Sequence, residues 1–118
     1  MHTTEHKIDN SHPVVITLNG RITAFQAGAL REQFAVLLDD GAKYFVLDLS
    51  QVEFLDSAGL AALVYLLKQA RQQGGDAKMI LPKLGTAQRI LQLTRFDKVF
   101  PLEETVEDAL QSFCFSST

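Results

Sequence analysis

The sequence predicts an α/β domain: a mixed, mostly parallel sheet of four to five strands with about four helices packed on it. Three observations carry this. Short β-branched or apolar runs alternate with amphipathic helical segments along the chain. Strands separated by helices must be joined by crossovers, which favours parallel pairing. One strand candidate, Tyr44-Phe45-Val46-Leu47-Asp48-Leu49, is apolar at nearly every position, the pattern of a strand covered on both faces. The 118 residues suit one domain, with a core from about 13 to 113.

Each element has its own signal. Residues 1–12 are either an edge strand, at 4–9, or a mobile segment. Val14-Val15-Ile16-Thr17-Leu18 reads as a strand ended by the turn pair Asn19-Gly20. From Ala24 to Asp40, Ala27, Leu30, Phe34, Leu37 and Leu38 recur at steps of three and four, one stripe on a helix, with Gly41 as its stop. The strand from Tyr44 to Leu49 is followed by a link, Ser50 to Leu55, and a second helix from Asp56 to about Gln73. Its apolar face includes Leu60, Leu63, Val64 and Leu67, and Gly74-Gly75 closes it. Ala77 to Leu81 is a short strand ended by Pro82. Leu84 to Arg95 is a third helix through Ala87, Ile90, Leu91 and Thr94. Val99-Phe100-Pro101-Leu102 adds an edge strand, since Pro101 lacks an N–H. Thr105 and Asp108 have capping-box spacing before a last helix to about Phe113, and 114–118 form a tail.

Composition excludes several classes. The chain is 47% hydrophobic and 21% charged, which is globular rather than disordered. A formal net charge of −3 argues against a nucleic-acid partner. The longest apolar run, Leu60 to Leu67, is too short to cross a membrane, which takes about 20 residues. No secretory signal is read at Met1 to His6. A single cysteine, Cys114, permits no internal disulfide and suits a reducing compartment, so a cytoplasmic location is expected.

Chemistry in such sheets gathers beyond the carboxyl ends of strands, beside helix N-termini. Asp56-Ser57-Ala58-Gly59 occupies such a place. Asp56 and Ser57 are both strong capping types. The N–H groups of Ala58, Gly59 and Leu60 are expected to face outward, with a partial positive charge worth about 0.3–1 kcal/mol to an anion. Glycine in a first helical turn costs up to about 1 kcal/mol against alanine, so Gly59 points to close approach by another backbone or a partner. The local sequence leaves two readings open, a plain helix cap or a functional turn. Other chemistry lacks its parts. No G-x-S-x-G nucleophile elbow surrounds Ser57, and all three histidines, His2, His6 and His12, precede the first strand, so no catalytic base is expected nearby. His2 and His6 are spaced for one helix face but lack companion metal ligands. No glycine-rich phosphate loop is present. No catalytic residue, metal or cofactor is expected.

Phe54-Leu55-Asp56-Ser57-Ala58-Gly59-Leu60, following Leu47-Asp48-Leu49-Ser50, resembles the signature of the STAS domain, and most closely that of bacterial anti-sigma factor antagonists. Leu18-Asn19-Gly20-Arg21-Ile22, Ala29-Leu30-Arg31 and Gly74-Gly75 support the match, which runs from about Val14 to Leu110. The resemblance implies a partner switch. Ser57 is the phosphorylation site. The unmodified chain binds an anti-sigma factor that is also a serine kinase, phosphorylation releases it, and a PPM-type serine phosphatase resets it. The free chain is expected to be a monomer. Asp56, Ser57, Ala58, Gly59, Leu60 and Thr23 are the expected partner-binding residues, with Ala61 and Val64 as further surface. Two departures stand out. Ala58 replaces a common Ser or Thr and leaves Ser57 as the one acceptor. Thr23 stands where many relatives carry Asp. The alternative is a constitutive STAS scaffold in a transporter or signalling complex, with Ser57 only a cap.

Overall fold

In a computed structural model, which describes residues 12–113, four strands lie in the order of the sequence, β1-β2-β3-β4, and every neighbouring pair is parallel. The elements are β1 (Val14–Ile22), α1 (Ala24–Asp39), β2 (Tyr44–Leu55), α2 (Ser57–Gln72), β3 (Asp76–Ile80), α3 (Gly85–Leu93), a single 3-10 turn (Phe96–Lys98), β4 (Leu102–Glu103) and α4 (Val106–Ser112). The edge strand expected at 4–9 and the tail at 114–118 lie outside the described residues.

Strand periodicity builds the core. Val14, Ile16 and Leu18 of β1, Phe45, Leu47 and Leu49 of β2, and Ala77 and Met79 of β3 alternate onto one face. There they meet Leu30 and Phe34 of α1, Leu63 and Leu66 of α2, and Ala87 and Leu91 of α3. The Arg31 guanidinium lies 5.3 Å from the Tyr65 ring centre across the α1–α2 seam. The other face carries Val46 and Ile80, closed by Ala109 and Phe113 at the last helix, with Tyr44 and Phe113 rings 5.4 Å apart. This second cluster explains why β2 is apolar on both faces.

Several boundaries differ from expectation. Asn19-Gly20 does not end β1. Register irregularities fall on either side of this pair, between Thr17 and Asn19 and between Gly20 and Arg21, and Gly20 takes φ 73° within the strand. The backbone freedom that favours a turn is used for a bulge. The expected link Ser50–Leu55 is the second half of β2, because the prolonged β1 supplies its partner, with Asn19 opposite Gln51 and Ile22 opposite Leu55. Val99 and Phe100 are not in β4. Phe100 is buried in the core, and the Pro101 carbonyl accepts the Met79 N–H at 2.9 Å just before β4 begins. On α2, Leu66 and Ala70 complete the buried face while Val64 is half-buried. Among the described residues, no helix is long and apolar enough to cross a membrane.

Candidate functional site

The site follows from one register. Ile22 and Leu55 are paired at the ends of β1 and β2, so the next residues, Thr23 and Asp56, stand side by side. Each caps a sixteen-residue helix, Thr23 for α1 and Asp56 for α2. Thr23 accepts the Phe25 N–H at 3.3 Å, and its backbone N–H donates to Gln26 Oε1 at 2.8 Å, a reciprocal capping box.

Asp56 does more than cap its own helix. Its Oδ1 accepts the Gly59 N–H at 2.9 Å, and its Oδ2 accepts the Ala24 N–H from the first turn of α1 at 3.0 Å. The Asp56 N–H donates to the Ile22 carbonyl at 3.2 Å. The Gly59 bond, then those from Ala24 and Ala58, hold its carboxyl below the ordinary value of 3.8, against partial desolvation, which pushes the other way. The Asp56 carboxylate thus ties two helix starts together, and the Asp56 backbone N–H adds the end of β1.

This changes the expected donor arrangement. The N–H groups of Gly59 and Leu60 do not await a ligand: Asp56 takes the first through Oδ1 and the second through its carbonyl, at 3.0 Å. The Ala58 N–H also stabilises the Asp56 carboxylate. Gly59 meets an approach from within the chain. A Cβ there would lie 2.3 Å from the Ile22 carbonyl oxygen, far inside contact distance, so β1 and α2 close only over glycine. Leu60 is 5% exposed and belongs to the core. Of the expected site residues, Thr23, Asp56, Ser57 and Ala58 share the accessible edge, while Gly59 and Leu60 support it from beneath.

Ser57 is the first residue of α2 and is exposed. Among the described residues, no hydrogen bond engages its side chain, so the hydroxyl is presented to solvent from the first turn of α2. Also among the described residues, no cluster of three or more His, Cys, Asp or Glu side chains could hold a metal ion. Ala24 and Phe25 belong to this edge and carry no local motif. Only the pairing of Ile22 with Leu55, across 33 residues of sequence, brings them to Asp56.

The family model for the STAS domain matches residues 4–109. The anti-sigma-F factor antagonist RsfB of Mycobacterium tuberculosis is 32% identical over 103 residues, covering 86% of this chain and 82% of RsfB. This chain is a STAS domain of the anti-sigma factor antagonist family. An anti-sigma factor antagonist from Mycobacterium paratuberculosis has a similar crystal structure, with TM-score 0.77 and 31% identity, covering 94% of this chain and 92% of that one. Likeness in fold extends further. The Bacillus cell fate determinant SpoIIAA in its phosphorylated form superposes with TM-score 0.69 at 14% identity, covering 93% of this STAS domain and 97% of that chain.

Proposed function

We propose that this STAS domain is a phosphorylation-controlled partner switch rather than an enzyme. In its unmodified form it binds an anti-sigma factor that is also a serine kinase. Transfer of phosphate to Ser57 releases that partner, and a PPM-type serine phosphatase restores the hydroxyl. The free chain is a monomer and works in the cytoplasm.

The observation that carries this reading is the placement of Ser57: an exposed hydroxyl on the first residue of α2, beside an Asp56 that is fully engaged in holding the turn. Ser57 is therefore free to be modified without undoing the fold. A phosphate would add about −1.5 to −2 charges at a surface that a partner must desolvate, so contact with carboxylates or apolar groups becomes unfavourable. A fold relative lends support, since SpoIIAA has been solved in both an unphosphorylated and a phosphorylated form.

The test is phosphate transfer. Incubated with ATP and its kinase-type anti-sigma factor, the chain should gain one phosphate on Ser57 by mass spectrometry, and Ser57→Ala should gain none. In a pull-down, Ser57→Ala should retain the partner and Ser57→Asp should lose it. Equal retention by both variants would sink charge-driven release.

A further inference from the structure

Among the described residues, nothing accounts for two residues on the outer face of α1. Phe25 is 95% exposed, although it sits in the first turn of a helix whose apolar side chains otherwise turn mainly into the core. Gly28, one turn later, lies in open space: a Cβ there would meet nothing within 4 Å, and its φ is not in the left-handed region. Gly59 and Gly75 contrast with it, since a Cβ at either would strike a backbone carbonyl oxygen, that of Ile22 or of Lys43. Glycine within a helix is unfavourable, and here the free chain gains nothing from it. Phe25, Gly28 and Ala29 stand at i, i+3 and i+4, so an aromatic knob rises beside a flat strip of helix on one face.

We propose that Phe25 is the apolar anchor by which the unmodified chain grips its kinase-type anti-sigma factor, with Gly28 and Ala29 giving that partner's backbone room to approach. This rests on the partner-switch reading of Ser57 and extends it to α1. The occupant is argued from continuity. Ala24, the residue before Phe25, donates to the same Asp56 carboxylate that positions Ser57, so a partner covering the Ser57 turn reaches the first turn of α1. Size argues the same way. A lone Phe with two small residues, followed by exposed Glu32, falls far short of the roughly 1,200–2,000 Å² that a specific interface of its own would bury. It suits one hot spot within a larger interface, where aromatic anchors carry much of the affinity.

The experiment uses the full chain, unphosphorylated, against each kinase-type anti-sigma factor of the source organism, purified and immobilised with ADP. Wild type, Phe25→Ala, Gly28→Gln and the control Val36→Ala are compared by biolayer interferometry. Val36 is 60% exposed, farther along the same helix. The expected result is at least tenfold weaker binding for Phe25→Ala and Gly28→Gln, Val36→Ala within twofold of wild type, and unchanged melting for Phe25→Ala. If wild type binds and is phosphorylated on Ser57 while Phe25→Ala binds equally well, the anchor is overturned and the switch stands. If wild type binds none of them and gains no phosphate, both fall. A dimer of the chain that sediments as monomer once Phe25 is replaced would assign the face to a second copy and also overturn the proposal.

Discussion

At the scale of single residues, Asp56 and Ser57 divide two tasks that the sequence places side by side. Asp56 is the cap, bonded to Gly59 and Ala24, and Ser57 is the exposed residue after it. Replacing Ser57 should therefore be nearly silent for stability. Ser57→Ala is expected to shift unfolding by less than about 0.5 kcal/mol, as for a surface residue without partners. Ser57→Asp should be neutral to stabilising, by up to about 1 kcal/mol, because an anion in the first turn complements the helix dipole. Urea denaturation of the two variants checks both, and a large loss in either would mean that the hydroxyl itself holds the turn. The two helical glycines give a sharper contrast. Gly59→Ala forces a methyl against the Ile22 carbonyl and should cost about 1–3 kcal/mol through overpacking. Gly28→Ala meets open space and should add about 0.5–1 kcal/mol. The same denaturation curves read both signs.

Among elements, the decisive contact is between the starts of α1 and α2. It depends on an ionised Asp56, whose carboxyl sits below 3.8 mainly because Gly59, and then Ala24, donate to it. A carboxyl whose folded pKa lies below its unfolded value stabilises the fold fully above the unfolded value and loses that contribution as pH falls through the folded one. The stability gap between wild type and Asp56→Asn should thus be constant near neutral pH and shrink below about 3.8. Urea midpoints across an acid series measure this. A gap that persists unchanged in acid would show that the carboxylate charge is not what ties the helices. The last helix offers a second test at this scale. α4 is seven residues long and rests on a four-residue cluster, helped by Lys78, which bonds to Glu103 at 3.4 Å and lies 4.7 Å from the Phe113 ring centre. Short helices on small cores open first. Amides of α4 should exchange faster than those of Leu63 to Leu67 in α2, and equal protection would contradict the two-core description.

For the molecule as a whole, the proposed switch is a change of surface on a fold expected to stay the same. Three helices cover one face of the sheet with the large core, and the Ser57 edge lies where β1 and β2 end. Ser57 is exposed, and among the described residues no hydrogen bond holds its hydroxyl, so a phosphate there is expected to displace no packed element. The formal charge should move from −3 toward about −5. The phosphorylated chain is expected to migrate faster toward the anode on a native gel, with far-ultraviolet circular dichroism unchanged. A shifted spectrum would instead make the switch conformational.

The alternation of elements was readable in the residues themselves. The β-branched run Val14–Leu18, the continuous apolar run Tyr44–Leu49, the stripe from Ala27 to Leu38 and the cap at Asp56 are local patterns, and burial acts on local patterns directly. The second halves of β1 and β2 were not readable. Asn19, Gln51 and Glu53 are polar, and they lie in strands only because each strand supplies the other's hydrogen-bonding partner across more than thirty residues. The turn at Asp56-Ser57-Ala58-Gly59 was likewise found from sequence, and the family resemblance marked Ser57. Tertiary structure decided what each member does there. The register of Ile22 with Leu55 set Thr23 and Asp56 side by side, gave the second carboxylate oxygen to Ala24, closed the Ile22 carbonyl onto Gly59, drew Leu60 into the core and left Phe25 in solvent. A sequence specifies which faces must be buried. Which carboxylate oxygen meets which N–H depends on how two distant strands come into register.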